Sequence, residues 1–528
     1  MILQTLSVIS PLLVLTGGVL LLNWSSLRSA GAALALLVAL TLAAQATTGL
    51  PAGLSLGGIW LGGLSETVIL AGMVVLTLFF GLLLHRLMEA SGRLGTLLSL
   101  VRVLGRNPTE RLLWVVVVIG PLFESISGFG LGVVIVVPIL MALGYAPLQV
   151  MALSLLTQLA VPWGALAIGM GLGATMTGLP MEALGPATAL LAAPVYLAFW
   201  CAALVLAIPG WEARLKALPT TMVALGVFAV AVWAANRWVS PELGGVIGPP
   251  ALALWLQLTG AGLAGAGLPR NRHGMEEGAT PEFVRPRARE MLRAVLPYGV
   301  LVALLFVTRY HAPLTGWLNT HAVLRLPGSP FVLPLLYNPG ATLAVACLAA
   351  VPGVPSGRLP GLLGETVGQW TRAALAVFAL IGVARALHGV GMVAILAGWV
   401  PEGGGSLVTP LAVSIIAGLG GFLTGSVAGA NALFINVQAA LATQSGLPLL
   451  WAAAVQNTLA AASTAFSPAR VVFAATMTGR HGEEGQVLRK LLPLAAVVFG
   501  IGTVALLPGV VEWLEVLEPW VTGGSARG

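Results

Sequence analysis

Gly120-Pro-Leu-Phe-Glu-Ser-Ile-Ser-Gly128 and, about 300 residues later, Gly421-Phe-Leu-Thr-Gly-Ser-Val-Ala-Gly429 interrupt apolar runs with glycine, hydroxyl groups and one carboxylate. Val115 to Ile119 precede the first interruption and Val133 to Val137 follow it, so Glu124 sits midway through a stretch suited to lipid. Backbone that leaves the helix at membrane depth must be buried in protein or line a polar cavity, because lipid satisfies no N–H or C=O group. The stretches 111–143 and 409–441 are therefore expected to fold as two re-entrant helical hairpins.

The two interruptions belong to a longer correspondence. Arg86 and Gly92 fall on Arg385 and Gly391, Pro147-Leu148 on Pro448-Leu449, and Thr157 on Thr458. A nearly constant offset over about 70 residues is the mark of an internal duplication. Charge indicates how the copies are oriented. The loop 86–111 carries Arg86, Arg93, Arg102, Arg106 and Arg111, while its counterpart from Arg385 to Pro410 has no further basic residue. Later the contrast reverses: 178–186 has none, and 479–490 has Arg480, Arg489 and Lys490. Cytoplasmic loops collect Lys and Arg, so the repeat is expected to be inverted, with both termini on the periplasmic side of a bacterial inner membrane. Arg28, Arg214, Lys216 and the basic linker 270–293 agree with that orientation.

Composition is consistent with this reading. The chain has 58% hydrophobic and 8% charged residues, whereas a water-soluble domain needs about 25% charged. Apolar runs suited to spanning recur at 6–22, 30–47, 64–84, 148–171, 187–208, 221–239, 245–263, 292–308, 331–351, 367–384, 447–478 and 490–507. The expected fold class is an all-α polytopic membrane protein of about 12 transmembrane helices plus the two hairpins. The first run lacks a basic flank and a small-residue cleavage site, so it is expected to be a retained helix. A net charge of +7 resides in loops, as topology requires, and does not indicate a nucleic-acid partner. The organisation expected is N-terminal helices (1–63), a first repeat (64–210) with hairpin 111–143 and broken helix 148–171, and helices with a cytoplasmic linker (211–291). Helices opening the second half (292–365), a second repeat (366–510) with hairpin 409–441 and broken helix 447–478, and a C-terminal tail (511–528) follow.

Glu124 is the outstanding candidate for chemistry. A carboxylate at this depth is costly and usually faces a cavity or relays protons. Desolvation favours the neutral acid, so Glu124 could carry a proton between a water-facing and a protein-facing state. The alternative is that it pins the hairpin by accepting backbone N–H bonds. Ser125, Ser127 and Gly128 open a helix whose N-terminus attracts an anion, and Thr424, Gly425, Ser426 and Asn431 repeat the design. Gln158 in the first interrupted span, and Asn457, Thr458, Ser467 and Arg470 in the second, complete the candidate substrate site. Arg470 is either the bidentate partner of a carboxylate or a side chain reaching for the interface. His388 is a second candidate for proton coupling, since histidine titrates near physiological pH. No zinc, nucleotide or catalytic constellation emerges, and no cofactor is expected.

These residues resemble the L-lactate permease family. Thr109-Glu-Arg-Leu-Leu113 through the Gly120 to Gly130 segment is similar to the family's first hairpin motif. Phe422-Leu-Thr-Gly-Ser426 with Asn431-Ala-Leu-Phe434, Asn457-Thr458 and Ser467-Pro468 is similar to its second. The resemblance implies proton symport of L-lactate, D-lactate or glycolate, an elevator-type mechanism shared with other inverted-repeat carriers and, by analogy, a homodimer. The chain departs from the family at Val427, where an acidic residue is common, at Gln158-Leu159 in place of Asn-Thr, and at a missing lysine before Ser467-Pro468. A sodium-coupled carrier of another organic acid is the alternative reading, and a membrane enzyme or structural subunit a more distant one.

Overall fold

Leucine, valine and alanine runs without charge close as helices, because a helix satisfies its own backbone where water does not reach. The computed structural model describes residues 9–15, 17–18, 22, 24, 26–47, 58–96, 108–127, 131–259, 287–391, 395, 398, 407–480 and 483–523. Among these, 20 α-helices account for most of the described residues.

The first half opens with α1 (Ser26–Thr47) and α2 (Gly63–Ala90). Helix α3 (Pro108–Leu113) runs through a π-type segment (Trp114–Ile119) into α4 (Gly120–Ser127), and α5 (Leu131–Ala142) packs back against them. Next come α6 (Pro147–Leu155), a 3-10 segment (Gln158–Trp163), α7 (Gly164–Thr177), α8 (Met181–Ala207), α9 (Trp211–Trp238) and α10 (Gly244–Thr259). Beyond them lie α11 (Ala288–Tyr310), α12 (Ala312–Thr320), an antiparallel pair β1 (Val323–Arg325) and β2 (Val332–Pro334), and α13 (Pro339–Ala350). The second half comprises α14 (Leu359–Gly389), α15 (Val408–Thr424), α16 (Val427–Ser445), α17 (Leu449–Thr464), α18 (Pro468–Thr478), α19 (Glu484–Ala505) and α20 (Pro508–Thr522).

From α2 to α8, and again from α14 to α19, the order is the same: long helix, helix pair, interrupted helix, long helix. The pair α15–α16 folds back on itself at Gly425 and Ser426. Thr409 at its start and Ser445 at its end share a hydrogen bond of 3.0 Å, and Gln438 Nε2 donates to the Val413 carbonyl at 3.0 Å. Gly425 makes the tip feasible, with φ of 63° and a position where a Cβ would come within 3.0 Å of Ser467 Oγ. The two halves interlock. Helix α7 packs on α16, the 3-10 segment on α17, and α18 on α5 and α6.

Several expectations need adjustment. Against the expected 12 spans, six described helices are long and apolar enough to cross a membrane by length and composition, seven if the bent pair Pro147–Trp163 with Leu166–Thr177 counts as one span, and Leu27–Ala43, Pro339–Gly353 and Val408–Thr424 are shorter apolar helices. The run 331–351 opens as β2 and a turn before the shorter helix α13, because Pro334 and Pro339 bracket it with residues that resist helix. Residues 511–523 of the expected tail belong largely to α20, whose Val511, Leu514 and Val521 are buried. Residues 6–8, 16 and 19–21 of the run 6–22, Arg102, Arg106 and linker residues 270–286 lie outside the described residues.

Helices α2 and α14 lie against one another with charged clasps at both ends. Arg86 pairs with Glu365 and donates to Gln369 Oε1 at 2.9 Å, while Arg385 pairs with Glu66. The start of each helix therefore meets the end of the other, so the two run antiparallel. Glu365 stands 299 positions after Glu66, and Arg385 stands 299 after Arg86; Glu66-Thr67-Val68 recurs as Glu365-Thr366-Val367. Each arginine thus reaches the glutamate that corresponds to the other arginine's partner.

The clasps differ in burial, which sets their worth. Arg385 is 7% exposed and Glu66 16%, against 23% and 63% for Arg86 and Glu365. Glu66→Gln strands a buried guanidinium and should cost about 3 kcal/mol, whereas Glu365→Gln should cost ~1 kcal/mol or less. Thermal unfolding of the detergent-solubilised variants should show the larger fall in Tm for Glu66→Gln.

Candidate functional site

Four structural breaks converge at one place. Helix α4 ends in the first hairpin, α7 begins after the 3-10 segment, α16 begins at the second hairpin tip, and α18 begins after Ser467. The N-terminal ends of α7, α16 and α18 all contribute to the same region, and helix N-termini carry unpaired N–H groups and partial positive charge. Ser467 caps α18 by accepting from the Arg470 amide at 3.4 Å, and Ser426 caps α16 by accepting from Gly429 N at 3.5 Å. The first interrupted span bends by 51° at its break, and Leu166 and Ala167 just beyond it hold φ of 58° and 61°. Left-handed backbone at non-glycine residues costs of order 1–3 kcal/mol each and concentrates at functional sites.

Arg470 is the hub. Its Nη1 lies 3.0 Å from Glu124 Oε1 and also donates to Gln158 Oε1, and its Nε donates to the Gly425 carbonyl at 3.3 Å. One guanidinium thus ties the first hairpin, the first broken span and the second hairpin tip to the second broken span. The Arg470 side chain is 7% exposed and Glu124 1%. Glu124 also accepts from the Gly132 amide through Oε2 at 3.4 Å, so the charge partner and the hairpin pin are roles of the same carboxylate. Arg470 thus turns inward to these partners rather than outward from the protein.

Three cavities surround this hub. A small one of about 30 Å³ is lined by Glu124, Val161, Gly164, Val427 and Arg470 among others, room for about two water molecules. It shares Ile168 with a cavity of about 630 Å³ bounded by α7, Glu242, Arg309 and Asn338. It shares Gly425, Ser426, Ala428 and Arg470 with a third of about 330 Å³, which reaches along α14 past Gln369 and Leu380. The Glu124–Arg470 pair therefore stands between two vestibules.

The expected site residues divide accordingly. Glu124, Gln158, Gly425, Ser426, Ser467 and Arg470 come together, and Thr424 lines the third cavity. Ser125 turns away, donating to the Pro121 carbonyl at 2.8 Å and packing where Gly245 leaves space. Asn431 and Asn457 bond to each other at 2.7 Å, and Asn431 reaches the Gly169 carbonyl at 2.8 Å. They brace α16, α17 and α7 behind the cavity. Thr458 donates to the Thr188 carbonyl at 3.5 Å and faces α8. His388 is exposed in the last turn of α14 and lines none of these cavities. The Ser127 side chain and Gly128 lie outside the described residues. The sequence reading missed Val161, Gly164, Ile168 and Gly169 as lining residues. Their signal was only adjacency to the Pro162 break.

The sequence matches the family model described as L-lactate permease over residues 5–326 and 320–508. It is 27% identical to the L-lactate permease of Salmonella typhimurium over 429 residues, covering 73% of this chain and 76% of that one. It is 24% identical to the glycolate permease GlcA of Escherichia coli over 463 residues, 77% and 79% of the two chains. The L-lactate permease of Halalkalibacterium halodurans is 24% identical over 466 residues, 84% and 85% of the two chains.

A buried ion pair is most costly when half of it is removed. Arg470→Gln removes the cation beside buried Glu124 and should destabilise more than Arg470→Gln combined with Glu124→Gln. The double-mutant cycle from thermal unfolding in detergent should give a coupling of about 3 kcal/mol. Simple additivity of the two changes would mean the charges do not meet in the folded protein.

Proposed function

The chain belongs to the L-lactate permease family, and on that footing we propose that it is a secondary transporter that carries a small monocarboxylate, lactate or glycolate, together with a proton. Relatives named for L-lactate and for glycolate support that substrate class. The observation that carries the coupling is the buried Glu124–Arg470 pair between two vestibules.

The incoming carboxylate and Glu124 compete for one guanidinium. Arg470 offers a planar fork that matches a carboxylate, and the converging helix ends favour negative charge beside it. When substrate takes Arg470, Glu124 loses that cation at 1% exposure, and burial without the guanidinium beside it favours the protonated acid. The site then holds one positive and one negative group, as it did when empty. Its net charge stays zero through the cycle, so neither loaded nor empty movement drags an unpaired charge through low dielectric. On release, Glu124 loses its proton and returns to Arg470.

Alternating exposure follows from the paired architecture in this reading. The repeated element order, the reciprocal clasps on α2 and α14, and the reversed distribution of basic residues between corresponding loops support an inverted repeat whose hairpins meet at the site. Elevator-like travel of the hairpins and broken helices, residence in the inner membrane with both ends outside, and a homodimer belong to the same proposal.

Purified protein in proteoliposomes should take up labelled L-lactate faster under an inward proton gradient, and a sodium gradient alone should not replace it. In Glu124→Gln the neutral amide mimics the protonated acid. Gradient-driven uptake should fall to the level of empty vesicles, while lactate-for-lactate exchange persists. Proton-driven uptake undiminished in Glu124→Gln would remove Glu124 from the coupling.

A further inference from the structure

The small cavity beside the ion pair is not polar all round. Val161, in the 3-10 segment, and Val427, the first residue of α16, both line it. With Ala461 of α17 they form an apolar cluster separate from the main core, each no more than 5% exposed. Ile168 and Ala428 extend the same lining.

A chamber for water or a bare inorganic anion gains nothing from buried valines, whose methyl groups satisfy no hydrogen bond. A 2-hydroxy acid has one charged end and one alkyl end, and a site for it needs both kinds of surface. Arg470 and the helix termini supply the first. The valines supply the second.

Space behind them is short. Gly169 runs so close that a Cβ there would stand 2.9 Å from Val427 Cβ and 2.7 Å from the Ala428 nitrogen. The wall therefore cannot retreat toward α7, and a longer alkyl group meets methyl groups that have nowhere to go.

Resting on the reading of the protein as a monocarboxylate carrier, we propose that Val161 and Val427 receive the alkyl group of the substrate and set the upper limit on its chain length. Truncating either valine opens the wall to longer acids. Replacing Val427 by threonine keeps its shape and weakens its hold on a methyl group.

The test is competition against labelled L-lactate exchange in proteoliposomes by glycolate, 2-hydroxybutyrate and 2-hydroxyvalerate. Wild type, Val161→Ala, Val427→Ala, Val427→Thr and the outward-facing control Val504→Ala, at a position 52% exposed, are compared. In Val161→Ala and Val427→Ala, 2-hydroxybutyrate should gain about tenfold relative to lactate, the range that one methylene controls in an apolar pocket. In Val427→Thr, lactate should lose about fourfold relative to glycolate, the worth of one buried methyl group. Val504→Ala should leave every ratio as in wild type. If an alanine variant does not fold, the threonine ratio decides. Lactate exchange with unchanged ratios in every folded site variant would overturn the proposal while leaving the carrier reading intact. A folded wild type that exchanges none of these acids would overturn both.

Discussion

An arginine and a glutamate, 7% and 1% exposed, hold each other 3.0 Å apart at the junction of four chain breaks. Neither charge is readily tolerated there without the other, since their mutual attraction and neighbouring hydrogen bonds offset the desolvation of each. The remaining local architecture serves that pair. The Gly425 tip presents its carbonyl to Arg470, Gln158 adds a second oxygen, and Gly132 donates to the far oxygen of Glu124. Pairing residues 346 positions apart also ties the first half of the chain to the second.

The clasps between α2 and α14 carry the same logic to the periphery. Two ion pairs with corresponding partners stand at opposite ends of one helix pair, each beside a different vestibule. Gln369, bonded to Arg86, lines one cavity, and Phe331, 5.8 Å beneath the Arg385 guanidinium, lines the other. The more buried clasp lies beside the larger vestibule.

Much of this was legible in the chain because membranes leave few choices. Apolar runs dictated helices, and Gly-Ser interruptions within them marked the second tip at Gly425 and Ser426. Glu124 and Arg470 stood out as charges where charge is expensive. Their pairing was not legible, since Arg470 follows Pro468 near a helix start and could equally have reached for the interface. Ser125, Asn431, Asn457 and Thr458 were grouped with the site by residue type. The structure instead places them where hydroxyls and amides brace packed helices, a role that sequence cannot distinguish from ligand binding. Val161 was invisible for the opposite reason: an apolar residue in an apolar chain carries no mark until a cavity is seen beside it, and Val427 stood out only as a departure from the family's acidic residue, which said nothing of a cavity wall. The β1–β2 pair escaped because three-residue strands leave no periodicity to read.

If substrate and Glu124 exchange places on Arg470, then binding itself takes up a proton before any transport occurs. Calorimetric titration of L-lactate into the detergent-solubilised protein, repeated in buffers of different ionisation enthalpy, counts that proton directly. The exchange predicts one proton taken up per lactate bound by the wild type at neutral pH and none by Glu124→Gln. Lactate binding to the wild type with no proton uptake would contradict it.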